Sequence, residues 1–376
     1  MHEQFPQDPD LIYLNHAGVG PWPARARDAV ASFADECVRL GARHYARWLE
    51  TERRLRGRLA RVFNVDDPED VALVKNTSEG LSFVAYGLSW HSGDEVVVPA
   101  EEFPSNRWVW ESLEERYGVR VRKVDFTQGP GSPEDALIAA FTPRTRLLSV
   151  STVQYASGLR MDLPTLAQAC RDRGVLLCLD AIQSTGVLPL EVEADFIVAD
   201  GHKWMLGPEG LGGLYVRPEL LEELRVWEYG WHMVEEMGQF EREDWTPARS
   251  ARRLECGSPN LLGAHALDAS LSVLEEHGLE RIAGDVTAHA EHVFEGARAR
   301  GFRLMTPTQP GRYAGIVTFE VPGRDPADLA QRLRERGVVC AARHGGIRFS
   351  PHFYTGSAQI DEALERVAEL ARVPAD

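Results

Sequence analysis

Lysine is scarce in this chain. Its 41 basic residues include only three lysines, Lys75, Lys123 and Lys203, so arginine supplies the cation wherever a surface charge suffices. Arginine cannot stand in where a nucleophilic amine is needed, because the guanidinium stays protonated. Cysteine is sparse too: Cys37, Cys170, Cys178, Cys256 and Cys340 are an odd number, far apart, with no C-x-x-C pair. That pattern excludes a disulfide framework and a zinc site and reads as free thiols in a reducing compartment; no metal centre is expected. Positive charge is outweighed, 57 acids to 41 bases, for a net charge of −16. No nucleic-acid partner is expected, since tracking phosphates takes clustered cations. No apolar run approaches the ~20 residues that span a bilayer, and the opening MHEQFPQDPD has neither the basic nor the apolar region of a signal peptide. The expectation is a cytoplasmic protein with no membrane contact. Internal repeats and low-complexity tracts are also lacking.

What is present is a chain long enough, at 376 residues and 44% hydrophobic, to bury a large core. Short apolar runs bounded by turn residues recur at 71–74, 95–99, 147–151, 175–179, 196–199 and 213–216, and read as buried parallel strands. Between them the spacing predicts helices over 78–88, 105–117 and 163–173, the last bracketed by Pro164 and Gly174. Residues 23–63 are helical by composition, with a break at Gly41. Alternating strand and helix implies an α/β fold with a mostly parallel central sheet. After about Leu261 the pattern changes to helices at 264–277, 289–300, 326–336 and 359–373 around a strand at 316–321, which predicts a smaller C-terminal α+β domain. The expected division is 1–22 packing with the small domain, 23–261 as the large domain and 262–376 as the small one.

In an open α/β sheet, ligands bind beyond the carboxyl ends of the strands. The run 175–179 ends in Asp180-Ala181-Ile182-Gln183, where a carboxylate can pair with a protonated ring nitrogen. The next run ends in Asp200-Gly201-His202-Lys203-Trp204, followed by a glycine-rich stretch. A lysine just past a strand end, among glycines that let backbone approach closely, can form a Schiff base and later move a proton. Asn76-Thr77-Ser78-Glu79-Gly80 follows the first run and opens a helix, the place for an anion; taken alone it is also an ordinary N-cap. The glycines after Lys203 do not fit G-x-G-x-x-G after a first strand, which argues against a dinucleotide enzyme.

With Asp180, Gln183 and Gly201-His202-Lys203 in this order, the chain resembles, over nearly its whole length, the fold-type I pyridoxal 5'-phosphate (PLP) enzymes of the class V aminotransferase and cysteine desulfurase superfamily. The resemblance implies Lys203 as the Schiff-base lysine, Asp180 on the pyridine nitrogen, Gln183 on the ring hydroxyl and His202 near the phosphate, with Lys203, Asp180 and His202 catalytic. It implies Thr77 and Ser78 at the phosphate, Phe103 stacked on the ring and Gln154 facing the ring hydroxyl. Ser258 stands where the family reaches into the neighbouring subunit, which implies a homodimer with shared active sites. Arg348, in Arg343-His344-Gly345-Gly346-Ile347-Arg348, stands where the family grips the substrate α-carboxylate.

Two features depart from the family. Desulfurases carry a nucleophilic cysteine on a loop before that arginine, whereas here the only cysteine nearby is Cys340, inside an apolar run, and the loop is short. Asp200 replaces a serine that touches the phosphate, so its carboxylate must turn away or be offset. The reaction expected is a desulfurase-like β-lyase acting on a small amino acid, at a C–S bond or similar, without a catalytic cysteine. Aminotransfer or epimerisation is the alternative, and a non-catalytic PLP-binding regulator or scaffold is the alternative of another class.

Overall fold

A computed structural model describes residues 3–127 and 131–372. The chain enters through a two-residue strand β1 (Ile12–Tyr13), then helices α1 (Ala24–Leu40) and α2 (Tyr45–Phe63), separated near Gly41 as the composition predicts. The central region runs β2 (Val71–Val74), α3 (Thr77–Gly87), β3 (Glu95–Pro99), α4 (Ser105–Tyr117), β4 (Arg120–Val124), α5 (Pro133–Ala139), β5 (Thr145–Ser151), α6 (Leu163–Arg173), β6 (Leu176–Asp180), β7 (Phe196–Asp200) and β8 (Gly212–Val216). A short α7 (Pro218–Leu221) follows. The remainder runs α8 (Leu261–His277), α9 (Leu279–Ala299), β9 (Arg303–Leu304), β10 (Val317–Glu320), α10 (Pro326–Glu335), β11 (Val338–Val339), β12 (Ala341–Arg343), β13 (Gly346–Phe349) and α11 (Ser357–Arg372). Val373, the expected end of the last helix, lies outside the described residues.

Side chains and glycines set these boundaries. Asn76 accepts the Glu79 N–H at the start of α3 (2.9 Å), and Asp162 accepts the Thr165 N–H at the start of α6. Gly174 closes α6 in the left-handed region at φ 64°.

β2 to β8 form one sheet in the order 2-8-7-6-5-3-4. It differs from the six parallel strands expected in two ways. β8 pairs antiparallel with both β7 and β2; the eleven residues joining it to β7 hold no helix, and a parallel return needs a crossover. β4 was not anticipated because Arg-Val-Arg-Lys-Val contains no apolar run, and as an edge strand it leaves most of those side chains exposed. A second sheet, in the order β12-β13-β10-β9, carries the C-terminal region. One face of it, with Val317, Phe319, Ile347 and Phe349, packs under α10 and α11. β1 runs parallel to β11, Ile12 opposite Val338, and Asn15 bridges Ser350, so the N-terminal strand belongs to this second layer. α8, at the start of the region after 261, packs on α1 and α2. No helix among the described residues is long and apolar enough to cross a membrane.

One buried charge cluster ties α2 to the large sheet. Arg56 donates to Glu255 at 2.6 and 3.1 Å, to Glu52 at 2.8 Å and to the Val71 carbonyl, all below a tenth exposed. Glu52, His232 and Glu255 come within 4.8 Å of one another, a spacing that suits a cation, and the cation among them is Arg56. Arg56→Leu leaves two carboxylates buried without their counter-charge, and is expected to cost about 3–5 kcal/mol of stability. Urea denaturation followed by circular dichroism checks this; a loss below about 1 kcal/mol would show that the cluster is not a structural tie.

Candidate active site

Parallel strands deliver their carboxyl ends to one edge of the sheet, and the chemistry-bearing side chains collect there. β6 ends at Asp180, buried, whose carboxylate accepts the Ile182 N–H at 3.2 Å. Burial pushes this acid up to about 6, partly offset by that N–H and by Lys203. β7 ends at Asp200, and three residues on Lys203 is buried at 9% exposure with its amine 5.5 Å from the centroid of the Phe103 ring. Burial lowers Lys203 to about 8; Asp180 and Asp200 pull it up, Arg348 and Arg343 push it down. The other two lysines behave as surface cations: Lys75 pairs with Glu79 at 2.7 Å and Lys123 with Glu111 at 2.5 Å, both well exposed.

The backbone around Lys203 is held closed. Gly201 N–H donates to Leu211 O and Gly207 N–H to Gly201 O, both 2.9 Å. Trp204, fully buried, donates its indole N–H to Gln183 Oε1 at 2.8 Å. The N-terminal segment lies directly on this loop. Gly20 N–H donates to His202 O at 2.7 Å, and a Cβ at Gly20 would sit 2.2 Å from the Lys203 carbonyl, so only glycine permits the approach. On the other side, a Cβ at Gly80 would fall 2.6 Å from Val198 Cγ1; its absence lets the first turn of α3 press against β7. That turn presents Thr77, buried with its hydroxyl unpartnered, and Ser78, whose hydroxyl donates to Ser105 at 2.8 Å.

The remaining predicted residues divide. His202 Nδ1 lies 3.1 Å from Asp200 Oδ2, so the Asp200 carboxylate that replaces a serine has a histidine beside it. Gln183 is largely committed: its amide donates to Ala17 O at 3.2 Å and its oxygen accepts from Trp204, leaving one N–H free. Gln154 is buried and donates to Glu102 at 3.1 Å, with its oxygen unpartnered. Phe103 is 41% exposed and meets Tyr155 edge-on at 5.2 Å. Arg348 is 1% exposed and donates to Tyr155 O at 2.7 Å and Asn15 Oδ1 at 3.2 Å; its Nε is unpartnered and burial lowers it to about 10. Ser258 is exposed.

Sequence reasoning missed three contributors. Glu102, immediately before Phe103, is a second buried carboxylate; it accepts from Ser151 N–H at 2.7 Å and from Gln154, and burial raises it to about 7. Its place just past β3 was the signal available for it. Asn15 and the segment from Ala17 to Gly20 had no local signal, because what they touch lies 166 to 333 residues away.

Buried polar atoms nearly always find a partner in a folded protein. Among the described residues Thr77 Oγ1, Gln154 Oε1, Asp200 Oδ1, His202 Nδ1 and Arg348 Nε, all on residues the sequence singled out, are buried without a hydrogen-bond partner, as are atoms elsewhere such as Arg146 Nε and His289 Nδ1. A site of this kind is built for a polar guest. The aminotransferase class-V family model matches residues 12–362. The chain belongs to that family. It is 30% identical to an isopenicillin N epimerase of Streptomyces clavuligerus over 96% of each chain, and 31% identical to a probable cysteine desulfurase of Methanothermobacter thermautotrophicus over 96% of this chain and 95% of the relative. Among solved structures, a C-DES variant with glycine covalently linked to its PLP cofactor superposes with a TM-score of 0.91 at 26% identity, covering 98% of this chain and 99% of that one. The same protein, described as a cystine C–S lyase in complex with its reaction product cysteine persulfide, gives 0.90. The chain is thus a PLP-dependent enzyme of fold type I, and its donor set fits that cofactor: an anion seat at a helix start, an acid for a ring nitrogen, and a buried amine for the aldehyde.

The lowered Lys203 has a kinetic consequence. Only the neutral amine adds to an aldehyde, so below about 8 the protonated side chain is inert. PLP capture by the cofactor-free protein, followed by stopped-flow absorbance, is expected to accelerate with pH and level off above about 8. An ordinary lysine would keep accelerating towards ~10.4, and that result would contradict the assignment.

Proposed function

We propose that this chain is a lyase that removes a β-substituent from a small amino acid, at a C–S bond or one like it, and works as a cytoplasmic homodimer. The observation that carries this reading is the turn between β12 and β13. Only His344 and Gly345 connect the strands, both with positive φ (52° and 80°), which is the tightest kind of hairpin. Such a turn has no loop on which to carry a nucleophilic cysteine. Cys340 sits in the core of the second layer at 2% exposure, and burial pushes its thiol up to about 12. No persulfide is formed on the protein, and sulfur or another β-group leaves with its electron pair.

PLP, when bound, supplies an electron sink for the charge left at Cα. Lys203 holds the cofactor between turnovers and takes the Cα proton, and its depressed pKa makes it a base near neutral pH. Asp180 is the counter-charge for the ring nitrogen. Thr77 and Ser78, with the free N–H groups of α3, hold the phosphate, and His202 stands beside it with Asp200 as its partner. The free oxygen of Gln154 and the remaining N–H of Gln183 serve the ring hydroxyl, and Phe103 covers the ring face. Arg348, fixed from behind by Tyr155 and Asn15, grips the α-carboxylate. Ser258, exposed in one chain, is offered to the phosphate of the partner's site.

Epimerisation starts from the same proton removal, and the isopenicillin N epimerase relative favours it as the second reading. Incubating the PLP-loaded enzyme with a panel of amino acids separates them. Pyruvate and ammonia or sulfide, with the cofactor spectrum restored, support the lyase; inverted amino acid without pyruvate establishes the epimerase, and pyridoxamine phosphate with a keto acid an aminotransferase. Cys340→Ala is expected to keep activity within about twofold. Complete loss in a folded variant would restore the cysteine mechanism.

A further inference from the structure

The two faces of β7 can be read from what its side chains touch. Phe196 and Val198 pack in one core cluster with Leu81 and Val84 of α3, while Ile197 and Ala199 belong to the core on the other side of the sheet. Asp200 is two residues past Val198 and therefore shares the α3 face. β2 and β7 both run antiparallel to β8, so they are parallel to each other, and the helix that follows β2 begins at the edge where β7 ends. Gly80 lies against Val198, and Thr77 is one turn nearer that edge. The opening turn of α3 thus faces Asp200. Asp200 is 5% exposed, and neither its Oδ1 nor Thr77 Oγ1 has a hydrogen-bond partner.

This sets a carboxylate against the seat read above as the place of the cofactor's phosphate. A phosphate monoester carries about −1.5 to −2 charges near neutral pH, and a buried carboxylate facing it must be neutralised. The elements packed around Asp200 leave one group to do so. β8 brings Gly212, directly opposite. α3 brings the hydroxyls of Thr77 and Ser78, and its Glu79 is paired with Lys75 at 2.7 Å. β6 brings Asp180, a like charge two residues past Cys178 on the same face, and each carboxylate disfavours the other's ionisation. α8 reaches the Gly201 turn with the apolar Leu267. Lys203 feels the charge of Asp200 but is committed to the aldehyde. His202 remains, its Nδ1 3.1 Å from Asp200 Oδ2. A neutral imidazole has one N–H; turned to Asp200, it leaves a lone pair on Nε2, which repels a phosphate oxygen. The imidazolium has both N–H groups and supplies the missing charge.

We propose that the phosphate of PLP enters this site together with one proton, held on His202 against Asp200, so that Asp200 makes cofactor binding depend on pH. The inference rests on the reading of Thr77, Ser78 and His202 as the phosphate seat. The proton comes from solvent and adds to the bare ring nitrogen of His202; no other bond forms or breaks. By linkage, one proton taken up on binding weakens affinity by about tenfold for each unit that the pH rises. A residue without a carboxylate at this position removes the need for the proton.

Pyridoxine 5'-phosphate, which carries the phosphate but no aldehyde, tests this without any bond to Lys203. Its binding to the cofactor-free protein is followed by titration calorimetry at about pH 8 in buffers of different ionisation enthalpy, which counts the protons exchanged. The wild type is expected to take up about one proton more than Asp200→Ser or Asp200→Asn, and its affinity to fall about tenfold more per pH unit than theirs. Uptake in the wild type equal to that in either folded variant overturns the proposal. So does a wild type that takes up no proton, a result that needs no variant to fold. If pyridoxine 5'-phosphate does not bind the wild type at all, the phosphate seat itself is misplaced and this inference falls with it.

Discussion

A primary amine withdrawn from water at the end of β7 is the constraint around which this molecule is arranged. Removing a lysine from solvent disfavours its charged form, and the fold tolerates that only by closing backbone tightly over it. Gly20 comes against the Lys203 carbonyl, the Gly201 and Gly207 amides lock the loop, and Trp204 anchors its far side through Gln183. Asp180, desolvated by the same enclosure, is raised towards the lysine as the lysine is lowered towards it. Two groups at ordinary pKa values would differ by about six to seven units; here burial brings them to about 6 and about 8.

The two layers of the molecule meet at this amine. The large sheet supplies Asp180, Lys203, Thr77 and Glu102 from the ends of its strands. The second sheet supplies Arg348 through the polar side of β13, and the N-terminal strand belongs to that second layer. Asn15 touches Arg348 while Ala17 and Gly20 touch Gln183 and His202, so a single short segment joins both halves of the site. The second sheet's opposite side carries its own apolar core, with Cys340 inside it. Arg348 thus lies on the polar side of this sheet and Cys340 in the apolar core.

Much of this was legible because it is local. Asp180 and Lys203 stand within three residues of strand ends, and a strand end is visible as the close of an apolar run. Thr77 and Ser78 follow a strand and open a helix, a pattern contained in five residues. What stayed hidden was not local. The alternation in Arg-Val-Arg-Lys-Val reads as exposed chain because β4 is an edge strand with little to bury. The antiparallel direction of β8 is set by a connection without a helix, not by its own composition, which is as apolar as that of its parallel neighbours. The commitment of Gln183 to Trp204 and Ala17 depends on a segment 166 residues distant, and the hold of Asn15 on Arg348 on one 333 residues distant.

The central claim is that Lys203 carries the cofactor, and the scarcity of lysine makes it directly testable. Borohydride reduction of the PLP-loaded enzyme, followed by proteolysis and mass spectrometry, fixes the pyridoxyl group to whichever amine holds it. The label is predicted on the peptide containing Lys203 alone. Stoichiometric label on Lys75 or Lys123, or none on Lys203, would contradict the account.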